Sequence, residues 1–280
     1  MNATIYLNGA TLMTTPTQDV VAIAREAGYS GIEARAERLL RDATEVRATA
    51  AVVRPNEVLA LNGVALSLRS DGRMDGKLIE ADLKPRLSIG REIGSPYLLA
   101  IAPRAPGLAT SRAMPGTRDA LEVARDRAAV MGIGIAFEFL GFRDSPINTP
   151  ELAAETVDRI DGIGLVLDSC HWHASGSPSL QGYPIGRLVL VHLNDAPAKP
   201  AQEIEDADRL LPGEGVIKLA ELTQDLRTGG YAGPWSLETF NPSYWAEDPR
   251  AVARRGFVAV SQNVSADQRS SRENRKHTRG

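Results

Sequence analysis

The sequence has few of the features that mark secreted, membrane or nucleic-acid-binding proteins. Its one cysteine, Cys170, excludes an intramolecular disulfide framework and is typical of a reducing cytosol. No apolar run approaches the ~20 residues of a membrane-spanning helix, and the N-terminus lacks the basic and long apolar segments of a signal peptide. The formal net charge of -3 disfavours nucleic-acid binding through bulk charge. We therefore expect a soluble, cytoplasmic protein without nucleic-acid or membrane partners.

The sequence also lacks the glycine-rich motifs of nucleotide-binding folds. The turn after the first predicted strand reads Asn8-Gly9-Ala10-Thr11, which is not GxGxxG, and no GxxxxGK[ST] motif occurs anywhere. This absence counts against a doubly wound open sheet, which is the main alternative for a chain in which strands and helices alternate.

What the sequence does contain is a regular alternation of apolar strands and helical segments. Strands are predicted at residues 4–7, 31–33, 58–61, 96–101, 134–139, 164–167, 188–192 and 235–239. Helices are predicted at 20–27, 42–54, 77–93, 117–131, 150–160, 218–228 and 249–261, with a loop at 102–116. Most of the strands are continuously apolar, as in a parallel sheet covered by helices. Eight such units in roughly 260 residues predict an α/β fold, a single (β/α)8 TIM barrel.

The end of the chain differs in composition from the predicted barrel, which covers residues 1–262. Residues 265–280 read SADQRSSRENRKHTRG, a polar and basic segment without apolar periodicity. We expect residues 263–280 to form a disordered basic tail.

Four polar residues stand at the ends of four consecutive predicted strands: Glu138, Asp168, His192 and Glu238. In a TIM barrel the carboxyl ends of the strands converge on one mouth, where active sites lie. Three carboxylates at one point repel each other unless a cation is present. Hard oxygen ligands favour Mn²⁺ or Mg²⁺, and the histidine also admits Zn²⁺, Co²⁺ or Fe²⁺. We predict that these residues hold one divalent metal ion, preferably Mn²⁺.

Two asparagines, Asn8 and Asn62, also end predicted strands at the expected mouth. They are predicted to contact substrate, although turn formation explains both positions equally well.

Five segments carry more specific motifs. They are AFEFLG at 136–141, GLVLDSCHWHASGS at 164–177, VHLND at 191–195, DADRLLPGEGVI at 206–217 and SLETFNPSYW at 236–245. In this order they resemble the xylose-isomerase-like barrel superfamily of sugar isomerases and epimerases, and within it the inosose (2-keto-myo-inositol) isomerases. The resemblance extends over residues 6–260.

The resemblance implies roles for individual residues. In that superfamily the four strand-end positions hold the metal, and the two glutamates, Glu138 and Glu238 here, also exchange protons with the substrate. The positions that match His171 and Arg209 contact substrate oxygens. The Asp-x-x-His element supplies the first of these two residues, and the segment before PGEG supplies the second.

The function implied by the resemblance is a metal-dependent isomerase or epimerase that acts on an inosose or related keto-sugar through an enediolate. Ligands for a single metal favour proton transfer over a hydride shift. Two alternatives remain open, a ketose 3-epimerase and a dehydratase or lyase acting on a keto-polyol or 3-keto-glycoside. An endonuclease IV-like DNA-repair enzyme shares the barrel but needs more histidines for its three metals. The expected partner is a small molecule, and formation of a homo-oligomer is left open.

Overall fold

A computed structural model describes residues 3–265 and shows eight parallel strands closed into a barrel. The strands are β1 (Ile5–Asn8), β2 (Gly31–Arg35), β3 (Val58–Ala65), β4 (Tyr97–Ile101), β5 (Gly134–Glu138), β6 (Ile163–Asp168), β7 (Leu188–Leu193) and β8 (Trp235–Leu237). Each strand pairs with the next along the chain, and β8 pairs with β1 to close the ring. The predicted TIM barrel is confirmed.

Helices connect successive strands and surround the barrel. They are α1 (Thr17–Ala27), α2 (Ala36–Leu39), α3 (Ala43–Val52), α4 (Gly76–Glu92), α5 (Thr110–Ala129), α6 (Pro150–Val157), α7 (Ser169–Ala174), α8 (Leu219–Thr228), α9 (Pro242–Trp245) and α10 (Pro249–Val264). Short 3-10 turns lie at Gly9–Leu12, Ile185–Arg187, Ala201–Glu203 and Asp206–Asp208. Three short helices were not predicted: α2 and α7 follow directly after β2 and β6, and α9 begins five residues after the end of β8.

The barrel interior contains an apolar layer below a polar one. The apolar layer consists of Tyr6, Leu59, Ala60, Leu99, Ala136, Val166 and Leu190. Side chains on a strand alternate between its two faces, so every second residue points into the barrel. Val166 is therefore followed two positions later by Asp168, and Leu190 by His192. The larger apolar core lies outside, between the strands and the helices.

Helix α5 begins earlier than the sequence predicts. Its first turns occupy residues 110–116, so the predicted loop over 102–116 is wrong for its second half. Pro115 costs the helix one hydrogen-bond donor but does not end it. A Cβ on Gly116 would lie 2.2 Å from the carbonyl oxygen of Gly72, so this glycine permits close packing and does not mark a loop. Pro85 likewise lies inside α4 and does not interrupt it.

Strand β3 continues past the turn predicted at Asn62-Gly63 and ends at Ala65. The pairing with β4 shifts register between Leu61 and Val64. A Cβ on Gly63 would lie 2.9 Å from the carbonyl oxygen of Leu99, so the glycine here permits close approach of β4. The extra length keeps Asn62 in the barrel mouth.

The last helix, α10, runs two residues past the predicted domain boundary at 262, and its Val264 is buried. The remainder of the predicted disordered tail, residues 266–280, lies outside the described residues. Within residues 3–265, no helix combines the length and the apolar character needed to cross a membrane.

Candidate metal and substrate site

The four residues predicted as metal ligands come together at the carboxyl ends of the strands. One ligand atom from each of Glu138, Asp168, His192 and Glu238 lies within 4.8 Å of the other three. All four residues are buried, and none is more than 3% exposed. Three carboxylates are thus held together in a place with little water to screen their charges, which is costly unless cations accompany them.

His192 is the first of these cations. Its Nδ1 lies 2.9 Å from Oε1 of Glu138 and 3.4 Å from Oε2 of Glu238. Its Nε2 lies 3.0 Å from Oε1 of Glu33 on the opposite side. Burial by itself lowers the pKa of His192, but the carboxylates of Glu238, Glu33 and Glu138 outweigh it and raise the pKa well above its usual value. Each ring nitrogen therefore faces a carboxylate oxygen in this arrangement.

Glu33 is a site residue that the sequence analysis missed. It lies in the middle of β2 and is fully buried. Besides His192, it accepts hydrogen bonds from Nδ2 of Asn8 at 3.1 Å and from the hydroxyl of Ser236. Burial raises its pKa, but the charge and hydrogen bond of His192 and these two donors lower it overall. A glutamate between the apolar residues Ile32 and Ala34 of a predicted strand was the signal that could have revealed it, because buried carboxylates need partners.

Arg209 is the second buried cation. Its Nη1 donates to Oδ2 of Asp168 at 2.9 Å and to Oε2 of Glu238 at 2.6 Å. Its Nη2 lies 2.9 Å from Oδ1 of Asp206. Burial lowers the pKa of Arg209, but these three carboxylates raise it well above its usual value. Arg209 thus lies among the site carboxylates although it is in a loop outside the strands, and its predicted contact with substrate oxygens stays a prediction.

The loop that carries Arg209 is held to the barrel by Asp195. The carboxylate of Asp195 accepts hydrogen bonds from four backbone N–H groups, those of Ala196, Gly213, Gly215 and Ile217, at 2.8–3.0 Å. The backbone of Asp195 also pairs with that of Leu210, next to Arg209. Through these contacts the HLND segment anchors the PGEG segment.

Glu238 is surrounded by side-chain donors. Its Oε1 accepts from Nδ2 of Asn8 at 2.9 Å, from Nδ2 of Asn62 at 3.0 Å and from Nη1 of Arg35 at 3.1 Å. Burial nevertheless raises the pKa of Glu238 to about 7, opposed by the charges of His192 and Arg209. Asn8 and Asn62 thus orient a carboxylate in this structure, and their predicted contact with substrate stays a prediction.

His171 lies beside Arg209, and its predicted contact with substrate stays a prediction. Its Nε2 is 3.1 Å from Nη2 of Arg209, which can only donate, so this nitrogen accepts and the proton of the neutral ring lies on Nδ1. Nδ1 is buried without a hydrogen-bond partner among residues 3–265. Burial lowers the pKa of His171, which favours the neutral form. The edge of its ring contacts Phe142, with the ring centres 4.7 Å apart.

The donor set fits a divalent ion. Ligand atoms on opposite sides of an ion such as Zn²⁺ are separated by up to ~4.4 Å, because each bond is ~2.0–2.2 Å long. The ligand atoms lie up to 4.8 Å apart, so the side chains need to move by only a few tenths of an ångström to bind an ion. The set also places Nδ1 of His192 on the same side as the three carboxylates, so an ion held there would supply positive charge to them.

Comparison with known proteins identifies the family. A sequence profile of the xylose isomerase-like TIM barrel family matches residues 21–258, and the chain belongs to this family. The inosose isomerase of Halalkalibacterium halodurans is 30% identical over 210 residues, which cover 72% of this chain and 74% of that protein. The zinc-bound crystal structure of IolI protein superposes with a TM-score of 0.84 at 26% identity, covering 94% of this chain and 98% of the other.

A third relative has a different activity. The 3-dehydroshikimate dehydratase of Pseudomonas aeruginosa is 35% identical over 153 residues, which cover 51% of this chain and 23% of that protein. The inosose isomerase relatives confirm the prediction of an isomerase. Together with the zinc-bound structure and the four-residue cluster, they support a sugar isomerase or epimerase that acts on a small molecule with a divalent metal.

Proposed function

We propose that the protein is a metal-dependent isomerase or epimerase of an inosose or closely related keto-sugar. Glu138, Asp168, His192 and Glu238 would hold one divalent ion, with Mn²⁺ preferred because three of the four ligands are hard carboxylates. The observation that carries the proposal is the burial of these three carboxylates and one imidazole within 4.8 Å of each other at the barrel mouth.

The reaction removes a proton from a carbon of the substrate and returns a proton to the neighbouring carbon or to the same one. When bound, the metal supplies Lewis-acid polarisation of the substrate carbonyl, which makes the adjacent C–H more acidic. A carboxylate of Glu138 or Glu238 takes that proton, and the substrate becomes an enediolate. In an isomerase a proton is then added to the neighbouring carbon while the hydroxyl proton passes to the former carbonyl oxygen. In an epimerase the proton returns to the same carbon from the other face. His171, through its unpartnered Nδ1–H, and Arg209 would hold substrate oxygens.

The charges around the site favour an uncharged substrate. Four buried carboxylates, those of the three ligands and of Glu33, face the two guanidinium groups of Arg35 and Arg209 and, when bound, a divalent ion. The four buried carboxylates are balanced by these cations, and the outer Glu37 and Asp206, which also contact the two guanidinium groups, add two further negative charges. An additional buried anion would have no free cation to pair with. A neutral keto-polyol fits this balance better than a phosphorylated or carboxylated substrate.

A dehydratase acting on a related keto-polyol is the second candidate, favoured by the similarity to the P. aeruginosa enzyme. Abstraction of the same proton would start that reaction, but the enolate would then expel a hydroxyl group as water. The dehydratase's named substrate, 3-dehydroshikimate, is a carboxylate, whereas the balanced charges described above favour a neutral molecule.

The metal site is tested by metal analysis of dialysed protein. Wild type loaded with Mn²⁺ or Zn²⁺ should retain one ion per chain, and Asp168→Asn and His192→Ala should retain much less. Glu45→Gln, which changes a buried carboxylate that contacts Thr17 and Arg38 away from the site, is the control and should retain the ion. Unchanged metal content in both site variants would rule out the ligand assignment.

The reaction is tested by following the loaded enzyme with NMR in D₂O. Inososes, ketohexoses, 3-keto-glycosides and 3-dehydroshikimate should be offered separately. We expect turnover of an inosose or keto-sugar with deuterium incorporated at the carbon beside the carbonyl. Turnover without label would indicate a hydride shift, and turnover of 3-dehydroshikimate alone would favour the dehydratase.

A further inference from the structure

We propose that Glu33 is a positioning residue for the metal centre, which holds the proton of His192 on Nε2 so that Nδ1 faces the ion. This inference rests on the proposed function, because it assigns a role toward the metal ligand His192. The two ring nitrogens of His192 point to different partners: Nδ1 faces the ligand carboxylates, and Nε2 faces Glu33 at 3.0 and 3.2 Å from its two oxygens.

The direction of the hydrogen bond follows from the chemistry of the partners. A carboxylate has no proton and can only accept, so the bond between Nε2 and Glu33 requires a proton on Nε2. A neutral imidazole with its proton on Nε2 has its lone pair on Nδ1, and a lone pair is what a metal ligand must offer. Glu33 therefore selects the tautomer that can bind the ion from the side on which the three carboxylates lie.

The position of Glu33 is itself determined by the barrel. The residue lies in β2, between Ile32 and Ala34, both of which are fully buried. Its Oε1 accepts hydrogen bonds from Asn8 on β1 and from Ser236 on β8. Closure of the barrel places β1 between β2 and β8, which brings the three residues together. Because Asn8 also donates to Glu238 at 2.9 Å, one amide group links the positioning carboxylate to a predicted ligand carboxylate.

Partners that orient a metal-binding histidine typically change metal affinity by about 10–100-fold when they are removed. We therefore expect Glu33→Gln to weaken Zn²⁺ or Co²⁺ binding by about that factor, measured by competition with a chromophoric chelator at fixed pH. Glu45→Gln, the matched change at a buried carboxylate remote from the site, should lower stability without weakening metal binding.

A double-mutant cycle separates positioning from a general structural effect. If Glu33 acts through His192, then Glu33→Gln should have little further effect on metal affinity in the His192→Ala background. An equal loss of affinity in both backgrounds would show that Glu33 acts by another route and would overturn the inference. Unchanged affinity of Glu33→Gln in the wild-type background would also overturn it.

A spectroscopic measurement on the wild-type protein shows which nitrogen of His192 carries the proton, even if Glu33→Gln does not fold. In Zn²⁺-loaded protein labelled with ¹⁵N-histidine, Nε2 of His192 should carry a slowly exchanging proton and Nδ1 should carry none. Protonation at Nδ1 with Nε2 on the metal would overturn the inference. Failure of the wild type to bind an ion in a His192-dependent way would instead refute the proposed metal site, so the two failures are distinguishable.

Discussion

Replacement of Asp195 by asparagine should show how the loop bearing Arg209 is held over the site. Asp195 is buried at the end of β7, and its two oxygens each accept two backbone N–H groups. Oδ1 bonds Ala196 and Ile217, and Oδ2 bonds the two glycines of the PGEG segment. An Asp195→Asn variant keeps the shape and one accepting oxygen, but turns an NH₂ group toward two N–H donors.

The loss of stability in Asp195→Asn follows from the number of hydrogen bonds that are lost. Two hydrogen bonds to a charged acceptor disappear, and each contributes about 1.5–3 kcal/mol. We expect a loss of about 3–6 kcal/mol in the free energy of unfolding, with the lower value if the loop can shift away. Because Asp195 lies outside the ligand cluster, the variant should still bind metal. Turnover should fall, because the backbone of Asp195 pairs with Leu210 beside Arg209.

Urea unfolding followed by circular dichroism, together with metal content and turnover, measures these effects. Asp42→Asn is the control, since it makes the same chemical change at an exposed residue that caps α3 through the backbone N–H of Thr44. Asparagine caps helices as well as aspartate does, so the control should change stability by less than ~0.5 kcal/mol. A loss below about 1 kcal/mol in Asp195→Asn would refute the anchoring role, because even one lost bond exceeds it.

Three further predictions concern the glutamates, the outer packing and the last helix. Glu138→Gln and Glu238→Gln should each keep some metal but lose ~10²–10⁴-fold in turnover in steady-state assays, and near-normal rates would contradict their role in proton transfer. In Gly256→Ala the new Cβ would lie 2.2 Å from Cδ2 of Leu237 in β8. The free energy of unfolding in urea should fall by about 1–3 kcal/mol, and an unchanged value would refute tight packing at this position. A chain that ends after Gln262 lacks the buried Val264. Its free energy of unfolding should be lower by about 1.5–3 kcal/mol than that of a chain that ends after Val264, and equal stabilities would contradict the packing of Val264.

The positions of the predicted metal ligands could be derived from the sequence because strands impose a simple rule. Each ligand lies at the end of a predicted strand, three of them after a continuous apolar run, and parallel strands in a barrel present their carboxyl ends on one side. In the structure Val166 lies below Asp168, and Leu190 below His192, because every second residue of a strand points into the barrel. Helix α5 and strand β3 were misjudged at one end, because Gly116 and Gly63 have the composition of turns but serve close contacts between elements.

The sequence by itself therefore determined the barrel, the order of its strands and the four residues at its mouth, since these depend on local periodicity. The tertiary structure alone decided how those residues are paired. Glu33 meets His192 across 159 positions of the chain, and Arg209 enters the site from a loop that Asp195 holds in place. Such contacts form because the barrel closes and because buried charged groups must pair with one another. The spacing of residues along the chain specifies neither the closure contacts nor the charge pairs.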